Sequence, residues 1–361
     1  MSLNIGIVGL PNVGKSTLFN ALTKQKVLAE NYPFATIDPN VGIVNLPDNR
    51  LEALAEIFHP TKVIHSTVTF VDIAGIVKGA WKGEGLGNKF LANIRESDAI
   101  CQVVRVFKND DIVHVAGKLN PKFDIEIINT ELILADLQTL DKAMPSLEKK
   151  LRGGQIDKDY YDQIIQVKTL LEQGVLLSQA VKDRKINLDY IKDWQFLTAK
   201  PFIWVFNLDD KSLDDKAIIK QLSNMVGQDE AVFLDAQFES ELADLTPTEA
   251  KEMLAMSGQA ESGLDKLARI GFKTLGLQTF LTAGLKEVRA WQIYKGWNAV
   301  QAAGVIHTDF AKGFIKAEII SFADLVKYGS KSQVREAGKM RLEGKDYIMQ
   351  NDDVVEFRFS N

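Results

Sequence analysis

The sequence predicts an α/β fold in which a parallel sheet carries helices on both faces. Apolar or β-branched runs of strand length recur at residues 41–46, 68–71 and 100–107. Such runs are typical of buried parallel strands. Segments of helical character alternate with them, and this alternation places helices on both faces of the sheet. Ligands of such sheets bind at the carboxyl ends of the strands.

The first element is a glycine loop between a strand and a helix. Residues 9–17 read G-L-P-N-V-G-K-S-T, directly after the apolar run 3–8 and directly before Leu18, Phe19 and Leu22. Glycines at both ends of this loop let successive backbone N–H groups point inward, next to the positive end of the helix. The order of strand, loop and helix predicts a P-loop. The alternative is a glycine turn before an ordinary helix.

The residue types in this loop match the chemistry of a nucleoside triphosphate. Lys15 would reach the β- and γ-phosphates, and Ser16 would place its hydroxyl on Mg²⁺, which prefers oxygen ligands. Asn12 makes activation by K⁺ conceivable. The nucleotide contacts expected from the loop are those of Asn12, Val13, Gly14, Lys15, Ser16 and Thr17.

Two further segments have the character of switch elements. Residues 72–75 (D-I-A-G) follow the strand 68–71, so Asp72 would hold Mg²⁺ through water and the Gly75 amide would meet the γ-phosphate. The proline-rich loop 32–40 contains Thr36, the best candidate for a second hydroxyl ligand to Mg²⁺. The alternative is that Thr36 is an ordinary surface threonine.

The position after Gly75 raises a question about catalysis. It is Ile76, where many small GTPases carry a glutamine that orients the attacking water. Isoleucine has no hydrogen-bonding group, so the water must be positioned from elsewhere. His114 is the nearest imidazole in the sequence and a candidate orienter or general base. A structural role for His114 is the alternative.

Residues 124–196 follow a different pattern. Apolar residues spaced alternately four and three apart form a heptad seam: Ile133, Leu137, Leu140, Met144, Leu147 and Leu151. Gly153 and Gly154 break the helix, and a second seam follows. This predicts an antiparallel helical hairpin, in which Pro145 should kink or restart the first helix. The alternative is a pair of helices lying flat on the core.

The sheet resumes at residues 201–208 and 231–234, so the hairpin is an insertion in the nucleotide domain. From residue 278, short strands separated by polar and glycine turns predict a small mixed α+β module. The expected division is a nucleotide domain at 1–277, interrupted by the insertion 124–196, and a C-terminal domain at 278–361.

Composition limits the remaining possibilities. The chain has 361 residues, a net charge of −5 and a single cysteine, Cys101, so an internal disulfide framework is excluded and a reducing compartment is favoured. No apolar run approaches the ~20 residues that span a bilayer, and we expect a cytoplasmic protein without a membrane contact. Residues 278–361 carry twelve Lys and Arg against ten Asp and Glu. This slightly basic region permits a contact with RNA or the ribosome.

Several long stretches strongly resemble the YchF-type Obg-like ATPases. They are G-L-P-N-V-G-K-S-T, N-Y-P-F-A-T-I-D-P-N-V-G, F-V-D-I-A-G-I-V-K-G-A-W-K-G-E-G-L-G-N-K-F-L, and the C-terminal A-A-G-V-I-H-T-D-F and R-L-E-G-K-D-Y. The resemblance implies an Obg-type P-loop nucleotide domain with a coiled-coil insertion, then a TGS domain of β-grasp fold at about 278–361. It also implies that Ile76 is the hydrophobic residue typical of the group and that His114 matches a histidine proposed there as a catalytic substitute.

The base-binding motif leaves ATP and GTP open. Ordinary GTPases use N-K-x-D, whereas this chain has Asn207, Leu208, Asp209 and Asp210. Asp210 could accept hydrogen bonds from guanine. The resembling family usually has glutamate there and binds ATP. We favour ATP, with Asn207 and the Leu208 backbone at the adenine edge.

The leading hypothesis is a Mg²⁺-dependent, ATP-hydrolysing switch that regulates translation or the stress response through the ribosome or another large assembly. RNA contacts would come from the hairpin and the TGS domain. One alternative is a GTPase with the same mechanics. The other is a nucleotide-sensing binding module whose turnover is incidental.

Overall fold

The computed structural model describes residues 3–24, 40–73, 86–108 and 119–360. Seven strands occur among the described residues up to 234: β1 (Asn4–Gly9), β2 (Val41–Asn45), β3 (Lys62–Ile64), β4 (Thr67–Asp72), β5 (Ala99–Arg105), β6 (Phe202–Asn207) and β7 (Glu230–Leu234). Six of them form one sheet in the order β2-β4-β1-β5-β6-β7. The pairs β1–β4, β1–β5, β5–β6 and β6–β7 are parallel. The predicted α/β class is therefore confirmed.

Two interior strands of this sheet, β5 and β6, are completely buried. Every residue of β5 and β6 is buried, as expected for parallel strands covered by helices on both faces. Eleven helices precede the C-terminal strands within the described residues: α1 (Lys15–Lys24), α2 (Asn49–Phe58), α3 (Leu86–Glu96), α4 (Pro121–Arg152), α5 (Lys158–Glu172), α6 (Leu177–Lys182), α7 (Asp210–Leu213), α8 (Lys216–Val226), α9 (Ala236–Leu242), α10 (Pro247–Met256) and α11 (Gly263–Thr274).

Helices α4 and α5 contain the predicted heptad seam. Side chains of this seam, including Ile133, Leu140 and Leu147, are buried in an apolar cluster with α5 and the segment that follows it. Helix α4 also contacts β5. The long helix therefore lies on the sheet in part and packs as a hairpin in part. It does not restart at Pro145, which lies inside a continuous α4.

A buried carboxylate joins α4 to the chain that returns to the sheet. Asp136 is 1% exposed, and it accepts hydrogen bonds from the backbone N–H groups of Leu197 and Thr198, both at 2.9 Å, and from the Thr198 hydroxyl at 2.7 Å. Burial raises the pKa of Asp136 to about 6, against the opposing effect of these hydrogen bonds.

The C-terminal region forms a second, mixed sheet. Its own strands are β8 (Leu277–Ala283), β9 (Glu287–Tyr294), β10 (Phe314–Ser321), β11 (Arg341–Glu343) and β12 (Asp353–Phe359). The sheet order is β11-β10-β12-β8-β9-β3, with β8–β9 antiparallel and β12–β8 parallel. The accompanying helices are α12 (Ala299–Ile306), α13 (Thr308–Lys312), α14 (Phe322–Tyr328) and α15 (Lys331–Glu336).

This second sheet recruits a segment from far earlier in the chain. Residues 44–68, which the sequence placed in the nucleotide domain, cluster with residues 268–360. The reason is that β3 pairs with β9 and that Leu51 and Leu54 of α2 are buried in the apolar cluster of this sheet. The other described residues up to 267 form the first compact unit. In the described parts of the chain, no helix combines the length and the apolarity needed to cross a membrane.

Candidate functional site

The glycine loop lies at the carboxyl end of β1. The strand ends at Gly9 and α1 begins at Lys15. Between them Asn12 has φ 64° and Gly14 has φ 90°, the left-handed region that favours glycine and tolerates asparagine. The Leu18 N–H donates to the Gly14 carbonyl at 2.9 Å, which starts the helix. The loop is therefore curled in the way that a phosphate cradle requires.

Both glycines of the loop are at places where a side chain has no room. A Cβ on Gly14 would lie 2.1 Å from Nδ2 of Asn207, and a Cβ on Gly9 would lie 2.8 Å from Cγ2 of Val13. Real Cβ atoms do not approach other atoms so closely. Glycine is thus needed for packing at position 9, and for both packing and its positive φ at position 14.

Asn207 holds the loop to the neighbouring strand ends. Its Nδ2 donates to the Val13 carbonyl at 3.0 Å, and its Oδ1 accepts from the Ala236 N–H at 3.0 Å. Its backbone carbonyl accepts from the N–H groups of Val106 and Phe107 at 2.8 and 3.0 Å. The side chain is buried at 4% exposure, so these bonds are shielded from water and rigidify the site.

Lys15 and Asp72 form an ion pair beside the loop. Lys15 Nζ contacts Asp72 Oδ1, and both side chains are largely buried. Asp72 is the last residue of β4, and its backbone N–H donates to the Asn40 carbonyl at 2.9 Å. Ser16 lies exposed in the first turn of α1. A cation and a carboxylate are thus paired beside the loop, and the hydroxyl-bearing Ser16 directly follows Lys15 in the first turn of α1.

This donor set fits Mg²⁺ bound together with phosphate. Among the described residues, no group of three or more His, Cys, Asp or Glu side chains could hold a metal ion by itself. Mg²⁺ is usually bound by one or two protein oxygens, with phosphate oxygens and water completing the octahedron. The Ser16 hydroxyl and the Asp72 carboxylate are oxygen donors of that kind.

A cavity of about 830 Å³ extends from the loop across the ends of β5, β6 and β7. One wall is the loop itself: Leu10, Pro11, Asn12, Gly14, Lys15, Ser16 and Thr17. The other wall follows the three strands: Phe107, Lys108, Asn207, Leu208, Asp209, Asp235, Ala236 and Gln237. Its volume is in the range of pockets that hold drug-sized ligands.

The far end of the cavity is acidic. Asp209 caps α7 by accepting from the Ser212 N–H at 3.0 Å, and it also accepts from the Lys108 N–H at 3.4 Å. Burial would raise the pKa of Asp209, but these hydrogen bonds outweigh burial and the pKa lies below its ordinary value. Burial raises the pKa of Asp235, and the carboxylates of Asp209 and Asp210 raise it further.

The backbone of Leu208 is already partly engaged. Its N–H donates to the Leu234 carbonyl at 2.9 Å, so a contact from this residue to a base edge would use its carbonyl. Phe107 lines the cavity beside it, with the Arg105 guanidinium 4.4 Å from the ring centroid.

Most of the residues expected from the sequence lie together. The cavity brings together Asn12, Gly14, Lys15, Ser16, Thr17, Asn207 and Leu208, and Asp72 joins them through Lys15. Val13 is 1% exposed, and its carbonyl accepts the hydrogen bond from Asn207. Asp210 is exposed and is not among the described residues that line the cavity. Thr36, Gly75, Ile76 and His114 lie outside the described residues.

Sequence reasoning missed one wall of the cavity. Phe107 and Lys108 follow β5, and Asp235 to Gln237 follow β7. Their signal was available, because residues directly after neighbouring parallel strands meet at the same edge of a sheet. The motif pointed to Asp210, and not Asp209, as the residue that contacts the base. Asp209 both caps α7 and lines the cavity.

Two family models match the chain. Residues 4–152 match MMR_HSR1, described as 50S ribosome-binding GTPase. Residues 277–360 match YchF-GTPase_C, described as a protein of unknown function (DUF933).

Similar proteins match over their full length. A protein of Pasteurella multocida named "Ribosome-binding ATPase YchF" is 51% identical over 363 residues, with 100% of both chains covered. The Bacillus subtilis protein of the same name is 46% identical over 367 residues, again with 100% of both covered. The solved structure of the Schizosaccharomyces pombe YchF GTPase aligns with a TM-score of 0.86 and 35% identity, covering 99% of this chain and 98% of that chain.

Proposed function

This chain belongs to the YchF family, and we propose that it is a Mg²⁺-dependent, ATP-hydrolysing P-loop switch that works in contact with the ribosome. One observation carries the proposal: the glycine loop is tied to Asn207 and places Lys15 against Asp72 at the mouth of a cavity of about 830 Å³. Relatives up to 51% identical over their whole length have the name "Ribosome-binding ATPase YchF".

The loop residues would bind the phosphates. The curled loop ends at a helix N-terminus, where negative charge is stabilised, and the backbone N–H groups of residues 12–17 would donate to the phosphates. Lys15 would neutralise the β- and γ-phosphates, and Asn12 is the residue through which K⁺ could act. Holding the triphosphate in one orientation is the main contribution that the protein makes to phosphoryl transfer.

Ser16, Thr36 and Asp72 are the proposed Mg²⁺ ligands, the last through water, and the Gly75 amide is the proposed γ-phosphate contact. When bound, Mg²⁺ neutralises the charge that develops on the phosphate oxygens. The Lys15–Asp72 ion pair supports this arrangement, because it keeps the carboxylate of Asp72 directed toward the mouth of the loop.

ATP is the proposed substrate, with GTP as the alternative. The aliphatic Leu208 stands where N-K-x-D GTPases carry lysine, and the Leu208 carbonyl and the acidic side chains at this end suit the exocyclic amine of adenine, a hydrogen-bond donor. Guanine also presents donors, N1–H and N2–H₂, to a carboxylate, so GTP binding through Asp209 or Asp210 is the competing arrangement.

Catalysis without a glutamine at position 76 should be slow. We expect intrinsic turnover well below the ~1–100 per second typical of kinases. If His114 orients the water, His114→Ala lowers kcat while ATP affinity stays close to that of the wild type, because the lost contact exists mainly in the transition state. An unchanged kcat, alone and with ribosomes, would assign His114 a structural role.

The proposed partner is the ribosome, with RNA contacts through the helical hairpin and the C-terminal domain at about 278–361. A comparison of ribosome binding by the wild type and a hydrolysis-deficient variant separates an active switch from a nucleotide-sensing module. A switch releases or binds the ribosome differently when hydrolysis is blocked. A module whose turnover is incidental shows the same binding in both proteins.

The decisive experiment is calorimetric titration of ATP, GTP and their diphosphates into nucleotide-free protein, with hydrolysis assays of Lys15→Ala and Ser16→Ala. We expect tighter binding of ATP than of GTP and loss of Mg²⁺-dependent hydrolysis in both variants. Each substitution deletes one charged or metal-directed contact while leaving the glycine loop intact. Undiminished hydrolysis by both variants would contradict the site.

A further inference from the structure

A buried carboxylate lies on the helix that begins at the cavity wall formed by residues 235–237. Glu239 is on α9, is 1% exposed, and does not line the cavity. Its helix begins at Ala236, which does line it. The side chain is therefore one helical turn away from the nucleotide site.

Glu239 is hydrogen-bonded to the start of a different helix. Its Oε1 accepts from the Gly263 N–H at 2.6 Å and its Oε2 from the Leu264 N–H at 3.3 Å. These are the first two amides of α11, which have no partner within their own helix. One carboxylate thus satisfies two backbone donors in a buried place and fastens α9 to α11.

Gly263 is packed so closely at the contact between α9 and α11 that there is no room for a side chain. A Cβ on Gly263 would lie 2.6 Å from Cβ of Leu234 and 2.9 Å from Oε1 of Glu239. Leu234 is the last residue of β7. It directly precedes the first turn of α9, formed by the N-cap Asp235 with Ala236 and Gln237 and called here the turn 235–237. The start of α11 at Gly263 is therefore packed closely against Leu234 and is hydrogen-bonded to Glu239.

The same turn is held on its cavity side by Asn207. The Ala236 N–H donates to Asn207 Oδ1 at 3.0 Å, and the side chain of Asp235 accepts from the N–H of Gln237 at 2.8 Å. The turn 235–237 is thus fixed from the front by Asn207 and from behind by Glu239. Loss of the rear attachment would loosen this turn, while the bond from Asn207 to Val13 that holds the phosphate loop would remain.

We propose that Glu239 is a positioning residue for the base-binding side of the nucleotide cavity, acting through the turn 235–237. This inference rests on the proposed nucleotide-binding function. It assigns the hydrogen bonds of Glu239 to recognition of the nucleoside and leaves the phosphates to the loop.

The oxygen atoms of Glu239, more than its charge, carry this role. Burial raises the pKa of Glu239 to about 7, the hydrogen bonds from Gly263 and Leu264 oppose that rise, and the carboxylates of Asp265 and Asp235 add to it. Because both partners are backbone N–H donors, Glu239 acts toward them as a hydrogen-bond acceptor. Glutamine keeps one such oxygen, so Glu239→Gln should retain the shorter bond to Gly263.

The test compares ligands with and without a base. Dissociation constants for Mg²⁺–ATP and inhibition constants for Mg²⁺–tripolyphosphate are measured for the wild type, Glu239→Ala, Glu239→Gln and Gly263→Ala. We expect Glu239→Ala and Gly263→Ala to weaken ATP binding several-fold with tripolyphosphate unchanged, and Glu239→Gln to keep most of the ATP affinity. At saturating ATP, kcat should change little while KM rises.

Asp136→Ala is the matched control, because Asp136 is an equally buried carboxylate that binds backbone N–H groups far from this turn. It should lower the melting temperature and leave the ratio of ATP to tripolyphosphate affinity unchanged. Unchanged ATP binding in the Glu239 and Gly263 variants, or equal weakening of both ligands, would overturn the inference, as would an altered ratio in Asp136→Ala. If Glu239→Ala does not fold, the inference is tested with Gly263→Ala and Glu239→Gln alone. Wild-type protein that fails to bind ATP would instead contradict the proposed function.

Discussion

The side-chain amide of Asn207 donates a hydrogen bond to the main-chain carbonyl of Val13, with a distance of 3.0 Å between nitrogen and oxygen. The two residues are 194 positions apart in the chain. The bond joins the glycine loop after β1 to the end of β6, and the Oδ1 of the same side chain continues to Ala236. A residue expected from its motif to touch the base also holds the phosphate loop in shape.

Asn207→Ala should therefore damage the loop as well as base binding. It leaves the Val13 carbonyl and the Ala236 N–H buried without their partner, at a cost of about 1–3 kcal/mol in the free energy of unfolding. We expect weaker binding of both ATP and tripolyphosphate by calorimetry and a lower melting temperature. The exposed Asn224 supplies the control, since Asn224→Ala should change neither. Wild-type tripolyphosphate binding in Asn207→Ala would show that the loop keeps its shape without this bond.

Gly14→Ala tests the close approach of the loop to Asn207. The new Cβ would lie 2.1 Å from Nδ2 of Asn207 at a φ of 90°, so the loop must open or Asn207 must leave Val13. We expect loss of measurable ATP binding by calorimetry. Gly227 also has a positive φ of 63°, but no atom lies within 4 Å of its Cβ position. Gly227→Ala should therefore cost about 1–3 kcal/mol of stability through backbone strain alone and leave ATP binding intact. Equal effects of the two substitutions would exclude the steric explanation.

The two adjacent aspartates after β6 should differ in their effect on the base. Asp209 lines the cavity and caps α7, whereas Asp210 is exposed. Asp210→Ala should leave the dissociation constant of ATP within about twofold of the wild type, which is below 1 kcal/mol, and Asp210→Glu should keep the preference for ATP. Asp209→Ala should weaken nucleotide binding and remove about 1 kcal/mol of helix capping. Tight GTP binding that is lost in Asp210→Ala would establish the GTPase alternative.

The contribution of Glu239 to the free energy of unfolding should fall as the pH rises from about 4.5 to 7. Burial raises its pKa from 4.5 to about 7, so in this window the folded state holds a proton that the unfolded state has lost. Stability is then fully present below the unfolded pKa and is lost as the pH passes the folded one. The change is at most about 3 kcal/mol.

Urea unfolding at several pH values measures this contribution. Glu239→Gln should flatten the dependence between about pH 5 and 7, because glutamine does not titrate, whereas Asp265 and Asp235 titrate in both proteins. Asp136→Asn should flatten a more acidic window, since burial raises the pKa of Asp136 from 3.8 to about 6. Parallel curves for the wild type and Glu239→Gln would mean that Glu239 has an ordinary pKa in the folded protein.

The sequence alone determined the elements that depend on local pattern. Apolar runs of strand length located the strands of the parallel sheet, and the heptad spacing located α4 and α5, because side-chain periodicity follows directly from backbone geometry. The glycine loop was identified in the same way, since its backbone shape and its Lys15 and Ser16 chemistry lie within nine consecutive residues. Pro145 was a partial exception. Helix α4 is continuous through this residue, and Leu140 and Leu147 on either side of it are buried in the same apolar cluster.

Only the tertiary structure decided which distant residues meet. No sequence pattern near residues 44–68 predicts that β3 pairs with β9. No motif predicts that Asp209 lines the cavity whereas Asp210 is exposed. The bond from Asn207 to Val13 and the contact between Glu239 and Gly263 likewise join segments of unrelated sequence. Such contacts depend on how strand ends and helix starts are brought to one edge of the sheet. Local propensity carries no information about that arrangement, because it acts only between neighbours in the chain.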